Sequence, residues 1–135
     1  KSKIKVFPGI KEFLNQLKKR KIKIILLTNC PREMLHVKLT QTKLWGYFYE
    51  IISSEDFGYP KESDNFWTIL KKKIKYKKNK TIFIDDSLNI LKCAHKNGIK
   101  KVIGINYPDS KKAKQVINGF ESLDNISHFE EKFIN

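Results

Sequence analysis

One stretch of sequence, TIFIDDS at residues 81–87, limits the possible folds of this chain more than any other. Its apolar, β-branched run follows Lys80 and ends in two adjacent carboxylates, Asp85 and Asp86. Such a run predicts a strand buried on both faces, as in a parallel sheet covered by helices. Ligands of parallel α/β sheets bind outside the carboxyl ends of the strands, so the two acids are expected at a site. A divalent cation would relieve their mutual repulsion; the alternative is a solvated turn in which Ser87 caps the next helix.

The composition fits one domain with a real core, since 40% of the 135 residues are hydrophobic. The net charge of +14 raises the question of nucleic acid. Almost all cations are lysines spread along every helical segment, with arginine only at Arg20 and Arg32. Because nucleic-acid readers favour arginine forks, this pattern argues against nucleic-acid binding as the purpose of the charge.

The two cysteines and the hydropathy pattern bear on the compartment. Cys30 and Cys93 lie far apart and form no CxxC motif, which favours a reducing cytoplasm over a disulfide framework. No apolar run approaches the roughly 18 residues that a transmembrane helix requires, so no membrane partner is expected. The sequence therefore predicts a cytoplasmic protein.

Apolar periodicity predicts helices alternating with strands along the whole chain. The predicted helices cover residues 8 to about 20, 32–42, 61–74, 88–97, 111–117 and 126–133, and the predicted strands cover 22–28, 51–54, 81–85 and 101–105. Residues 1–7 are a short strand or an extended arm, residues 45–49 an aromatic turn, and residues 55–60 a loop. Strict alternation predicts an α/β fold with a parallel sheet, right-handed crossovers and helices on both faces.

Polar residues stand at three of the predicted strand ends and loops. Thr28 ends the strand at 22–28 and Asn29 follows it, Lys61 lies where a loop meets a helix, and Asp85 ends the strand at 81–85 with Asp86 directly after it. A phosphate ester needs hydrogen-bond donors on its oxygens, a cation against its charge, and Mg²⁺ for the charge that develops in the transition state. These positions supply the three needs, although a Thr-Asn pair is also common in turns and a lysine is most often solvent-facing.

Three short segments resemble the haloacid dehalogenase-like (HAD) hydrolase superfamily. LLTN at residues 26–29 resembles its second motif, Lys61 its third, and IDDS at residues 84–87 its fourth, over a match from about residue 8 to residue 110. FGYPKE at residues 57–62, FIDDS at 83–87 and PDS at 108–110 further resemble the bacterial purine 5′-nucleotidase branch, which hydrolyses GMP and IMP.

The resemblance implies a fold and a set of roles. Residues 1–135 would form a single three-layer, Rossmann-like HAD core domain without a cap domain. Thr28 and Asn29 would hold the transferring phosphoryl group, Lys61 would pair with the nucleophile and the phosphate, and Asp85 and Asp86 would bind Mg²⁺ or its waters. The expected partner is a small phosphate ester, and a purine nucleoside monophosphate in particular.

Two departures from the family pattern limit this expectation. The later acid of the fourth motif would fall on Ile90, which leaves Asp85 and Asp86, with Asn89 nearby, for the metal. Family members attack phosphorus with an aspartate of an Asp-x-Asp motif after the first strand, and no Asp-x-Asp occurs in this sequence. We therefore expect the C-terminal part of a longer hydrolase, or a decayed copy of one, that is inactive by itself.

The missing motif also has a structural side. In the family, its strand lies between the strands predicted here at 22–28 and 81–85. Without it these two strands would either pair directly or expose open edges, which invites self-association. Residues 3–7 could fill the gap but carry no acid.

Three functions stay open at this level: a Mg²⁺-dependent phosphomonoesterase, a non-catalytic phosphate or nucleotide binder, and a basic nucleic-acid-binding module. Scattered lysines argue against the last. Three isolated histidines are expected to serve packing or to lie at the surface: His36, His95 and His128. Three aromatic residues are expected in the core and not as base-stacking platforms: Trp45, Phe66 and Trp67.

Overall fold

Helices and strands alternate along the chain, as the sequence predicts. The structure is a computed structural model that describes residues 10–106 and 120–124. The helices are α1 (Ile10–Lys19), α2 (Arg32–Thr42), α3 (Ser54–Phe57), α4 (Asp64–Ile74) and α5 (Leu88–Lys96), and the strands are β1 (Ile25–Thr28), β2 (Glu50–Ser53), β3 (Ile82–Asp85), β4 (Lys101–Ile105) and β5 (Glu121–Leu123). The predictions for residues 1–9, 111–117 and 126–133 lie outside the described residues.

Every strand pairing that the structure describes is parallel, which confirms the predicted α/β class. β1 pairs with β2 from Ile25 opposite Glu50 to Thr28 opposite Ser53. β4 lies between β3 and β5 and pairs with both. The carboxyl ends of neighbouring strands therefore lie side by side, which is where polar residues can form a site.

The described strands form two separate sheets, β1-β2 and β3-β4-β5. The sequence left two alternatives for β1 and β3, which were direct pairing and open edges. Since these strands belong to different sheets, they do not pair directly. Each of these strands has a neighbour on one side within the described residues, and all four residues of β1 are only partly buried. An apolar strand in the interior of a parallel sheet would be fully buried, so β1 has the exposure of an edge.

One prediction of secondary structure was wrong, one strand was missed, and Trp45, which was expected in the core, is 39% exposed in the short turn after α2. Residues 55–60 were expected to be a loop, but α3 occupies the first part of this segment. Its start is fixed by a capping box in which the Ser53 hydroxyl accepts from the Glu55 amide and the Asp56 carboxylate accepts from the Ser53 amide. β5 was not predicted, because three residues carry little pattern and its pairing to β4 decides its conformation.

The main core packs α4 and α5 against the strands. Trp67 and Phe66 of α4 are 1% and 0% exposed, and Leu91 of α5 is 0% exposed. Within the described residues, no helix is both long and apolar enough to span a membrane. The buried core cluster consists of Ile52, Phe66, Trp67, Leu70, Phe83, Ile90, Leu91, Cys93, Ala94, Ile99 and Val102.

Candidate phosphate site

A buried ion pair connects the two sheets at their carboxyl ends. The ammonium nitrogen Nζ of Lys61 donates to Asp85 Oδ2 at 2.8 Å and to the backbone carbonyl oxygen of Leu27 at 3.2 Å. The side chains of Lys61 and Asp85 are only 10% and 7% exposed. One nitrogen therefore contacts the end of β1 and the end of β3, so these two ends lie close together.

Hydrogen bonds of the Asn29 side chain connect the loop after β1 to the loop that carries Lys61. The side-chain oxygen of Asn29 accepts from the Lys61 amide at 2.8 Å, and its side-chain nitrogen donates to Glu62 Oε1 at 2.9 Å. Thr28 Oγ1 accepts from the Cys30 amide at 3.0 Å, which closes a tight turn and leaves the hydroxyl proton able to donate. Asn29 thus holds the lysine loop, a role that sequence reasoning did not assign.

The two acids after β3 have different surroundings. Asp85 Oδ1 accepts from the amides of Asp86 and Ser87 at 2.7 and 3.0 Å, while its other oxygen faces Lys61. Ser87 stands at the cap position of α5 but its hydroxyl makes no capping bond, so the acids, and not the serine, shape this turn. Asp86 lies at the surface, yet partial desolvation raises its pKa, and the hydrogen bond and negative charge of Asp85 raise it further.

The raised pKa of the Asp86 carboxyl means that its ionisation next to the Asp85 carboxylate is unfavourable. A hard divalent cation relieves this repulsion, and Mg²⁺ is commonly held by one or two carboxylates with waters and substrate phosphate completing its shell. Ile90, where the family's further acid would fall, is 5% exposed and packs in the core. Among the described residues no three His, Cys, Asp or Glu side chains gather as a metal site. Within the described residues, Asp85 and Asp86 are thus the two carboxylates that this edge of the sheet offers to a cation.

A second ion pair supports the loop after β1 from outside the site. Arg32, the first residue of α2, donates from Nε and Nη2 to the two oxygens of Asp56 at 2.9 and 2.5 Å, and from Nη2 to the Ile51 carbonyl at 2.7 Å. The Ser53 hydroxyl donates to the Cys30 carbonyl at 2.7 Å. These bonds tie the chain that follows Thr28 to the end of β2.

The predicted site residues therefore meet in one region. Lys61 hydrogen-bonds to both Asn29 and Asp85. Thr28 and Asp86 are adjacent to Asn29 and Asp85 in the sequence. Sequence reasoning missed the contributions of Glu62 and of Trp67, whose indole nitrogen donates to the Lys61 carbonyl at 2.8 Å. It also missed the Arg32–Asp56 pair, although an arginine among so many lysines was a signal, since Arg is preferred for two-point bonds to carboxylates.

Comparison with known proteins shows the family of this chain. The family model described as "Haloacid dehalogenase-like hydrolase" matches residues 1–104. The GMP/IMP nucleotidase YrfG of Escherichia coli (strain K12) is 38% identical over 112 residues, which cover 83% of this chain and 50% of YrfG. The "Phosphorylated carbohydrates phosphatase" of Thermotoga maritima is 22% identical over 102 residues, covering 76% of this chain and 47% of that protein.

Solved structures show the same fold. YfnB of Bacillus subtilis, described as a HAD-hydrolase and solved with bound magnesium, superposes with a TM-score of 0.77 at 20% identity over 96% of this chain and 56% of YfnB. A HAD phosphatase from Thermococcus onnurineus superposes with a TM-score of 0.73 at 18% identity over 90% of this chain and 55% of its own. The chain spans about half the length of the curated relatives that it matches. With the family model covering most of its length and the motif residues meeting at the strand ends, this chain belongs to the haloacid dehalogenase-like hydrolase family.

Proposed function

We propose that this chain supplies the phosphate-binding and Mg²⁺-binding half of a phosphomonoester hydrolase. The observation that carries the proposal is the buried Lys61 ammonium, held between the Leu27 carbonyl and the Asp85 carboxylate at the ends of two parallel strands. A buried cation beside a hydroxyl and two acids suits a phosphate monoester bound with Mg²⁺. The substrate class that we propose is a purine nucleoside monophosphate, and the 38% identity to a GMP/IMP nucleotidase supports it.

The chain's own residues divide the work of binding. The Thr28 hydroxyl, whose oxygen already accepts from the Cys30 amide, would donate a hydrogen bond to a phosphoryl oxygen. The Lys61 ammonium, fixed in position by its contacts, balances the negative charge of the phosphate. Asp85 and Asp86 would hold Mg²⁺, which when bound supplies further positive charge to the phosphoryl oxygens.

The nucleophile is the part that this sequence does not contain. In the proposed reaction an aspartate from another segment attacks phosphorus, the ester P–O bond breaks, and the nucleoside leaves as the alcohol after taking up a proton. Water then hydrolyses the aspartyl-phosphate and releases inorganic phosphate. We therefore propose that the 135-residue chain binds phosphate without turning over a nucleotide.

Calorimetric titration of the chain with inorganic phosphate and Mg²⁺ tests the binding half of the proposal. Saturable binding is expected, and Thr28→Val should weaken it about tenfold because a hydrogen bond to a charged group is lost. Thr68→Val, which removes an exposed hydroxyl of α4, is the matched control and should bind as the unmodified chain does. Absence of saturable binding, or an equal loss in both variants, would contradict the proposal.

A nucleotidase assay tests the catalytic half. With GMP, IMP and a sugar phosphate as substrates, the chain should release no more phosphate than its Asp86→Ala variant. GMP hydrolysis that disappears in Asp86→Ala would show that the nucleophile lies within these 135 residues.

A binding comparison tests the substrate class. The sugar phosphate should bind more weakly than GMP at a purine site, and the reverse order would favour a phosphorylated carbohydrate, the substrate named for the Thermotoga maritima relative.

A non-catalytic phosphate or nucleotide binder is the second candidate. The absence of an Asp-x-Asp motif favours it. Restoring a strand that carries this motif, as an N-terminal fusion taken from the first strand of YrfG, separates the two candidates. GMP hydrolysis by the fusion supports a hydrolase half, and a fusion that binds phosphate without hydrolysis supports the binder.

A further inference from the structure

We propose that Trp67 is a positioning residue of the phosphate site, whose indole sets the place of Lys61 relative to Asp85. This inference deepens the proposed function and rests on it for the role of Lys61. Sequence reasoning gave Trp67 a packing role, and its burial agrees with that role. Its hydrogen bond and its ring contacts add a second one.

The first support is a buried hydrogen bond to the lysine backbone. Trp67 is 1% exposed, and its Nε1 donates to the Lys61 carbonyl oxygen at 2.8 Å. The donor lies six residues further along the chain, on the first turns of α4. Because no water replaces a partner at this depth, loss of the indole N–H would leave the carbonyl unpaired and the loop free to shift.

The second support is that the same ring touches the strand that carries Asp85. The Trp67 and Phe83 rings meet edge to face, with centroids 5.0 Å apart and planes at 84°. Phe83 lies two residues before Asp85 on β3. One rigid indole therefore contacts the backbone of Lys61 and the strand of its carboxylate partner, so it fixes the spacing between them.

The contact of the Lys61 amide is less shielded from water. This amide donates to the Asn29 side chain in surroundings that are only partly buried. The bond from Trp67 is fully buried. Since water competes least with a buried bond, Trp67 is the contact on which the lysine backbone depends most.

The test compares two core substitutions on the same helix. Trp67→Phe removes the indole N–H, while Phe66→Leu trims a neighbouring side chain that is 0% exposed and makes no bond to Lys61. The readout is the rate at which the Lys61 amine is acetylated by a soluble amine reagent, measured by mass spectrometry and divided by the rate for exposed Lys72. Trp67→Phe should raise this ratio about tenfold, as expected for loss of one buried hydrogen bond, and Phe66→Leu should leave it unchanged.

Equal ratios in both variants would show that Trp67 acts by packing and would overturn the inference. This readout needs no ligand, so it stands even where the unmodified chain binds no phosphate and the proposed function fails. Where phosphate does bind, Trp67→Phe should weaken binding about tenfold and Phe66→Leu should not.

A measurement on the unaltered indole keeps the inference testable if Trp67→Phe does not fold. The chain has two tryptophans, so a Trp45→Phe variant leaves Trp67 as the source of the remaining indole N–H signal in an NMR spectrum. We expect that proton to exchange with solvent at the rate of the core amides of α4. Exchange as fast as that of an exposed indole would overturn the inference.

Discussion

Lys61 is the residue on which both the stability and the proposed chemistry of this site depend. Its ammonium and the Asp85 carboxylate are each about nine-tenths buried, so neither can fall back on water if its partner is removed. A buried pair of this kind adds little net stability compared with apolar residues of the same shape, but a broken pair is costly. Lys61 and Asp85 therefore stay paired because an unpaired charge at this depth would lower the free energy of unfolding.

Removal of the Lys61 charge should destabilise the chain strongly. Lys61→Met is expected to lower the free energy of unfolding by about 3–5 kcal/mol, because it leaves Asp85 buried without a counter-charge. Urea denaturation measures the change. Adding Asp85→Asn to Lys61→Met should restore a large part of the loss, and Lys72→Met should change the stability by no more than about 0.5 kcal/mol. A double variant less stable than Lys61→Met would contradict the pairing.

Asp86 should show the opposite behaviour in the absence of metal. Its folded pKa is raised, so the folded state holds the proton more tightly than the unfolded state, and this contribution is present at low pH and lost as pH rises through the folded pKa. At neutral pH the charge on Asp86 therefore costs stability. Asp86→Asn should raise the melting temperature without Mg²⁺, by an amount worth about 1 kcal/mol or less since the residue is exposed.

The same variant should lose its response to Mg²⁺. The unmodified chain should melt at a higher temperature when Mg²⁺ is added, and Asp86→Asn should not. Asp64→Asn, which removes a carboxylate on the exposed start of α4, is the control and should keep the response. A Mg²⁺ effect that persists in Asp86→Asn would remove Asp86 from the proposed metal site.

Residue roles could be predicted where they depended on position at a strand end. Thr28 and Asp85 are expected at one edge because parallel strands bring their carboxyl ends together. Lys61, in the loop before α4, is assigned to the same site because a phosphate needs a cation. The bonds made by Glu62 and Trp67 could not be predicted, because they depend on the path of the loop at residues 58–63. Sequence periodicity shows that Trp67 is buried, but it does not show where the indole N–H points.

At the scale of helices and strands, the prediction succeeded where apolar patterns were long. The predicted bounds of the helix at 32–42 and the strand at 101–105 agree with α2 and β4. The predicted strand at 22–28 is shortened at its start, because Lys21 has a left-handed φ of 58° and its amide bonds back to Lys18, which extends the turn after α1. Such end effects depend on capping and not on apolar periodicity.

Among the described helices, α1, α2 and α4 are each followed by a lysine in the left-handed conformation in which glycine is usual. Lys43, directly after α2, has φ 58° and ψ 37°, and its amide donates to the Leu39 carbonyl. Lysine is strained in this conformation, so Lys43→Gly should raise the free energy of unfolding by about 0.5–1 kcal/mol. Lys38→Gly, the same exchange inside α2, should lower it by about 1 kcal/mol. Thermal denaturation distinguishes them, and the same sign for both would contradict the assigned end of α2.

At the scale of the whole molecule, the division into two sheets is the feature that departs most from a complete parallel sheet. β1 and β3 approach each other through Lys61 but share no ladder in the part of the chain that the structure describes. The missing motif predicts an unfilled place between these two strands, and within the described residues they belong to separate sheets. The bridging role of Lys61 required the structure.

Hydrogen exchange tests this division directly. Backbone amides of β4, which has a partner on both sides, should exchange more slowly than those of β1 and β3. Mass spectrometry of the chain after a series of labelling times measures the difference. Equal protection in all three strands would show that another segment or a second copy already fills the gap, and dilution of the sample would separate these two cases.

A crystal structure of the chain with Mg²⁺ and inorganic phosphate tests the proposed phosphate site most directly. We expect phosphate within hydrogen-bond distance of Thr28 Oγ1 and Lys61 Nζ, with the metal on the carboxylates of Asp85 or Asp86. Phosphate bound elsewhere, or Lys61 still closed on Asp85 with no anion beside it at saturating phosphate, would contradict it.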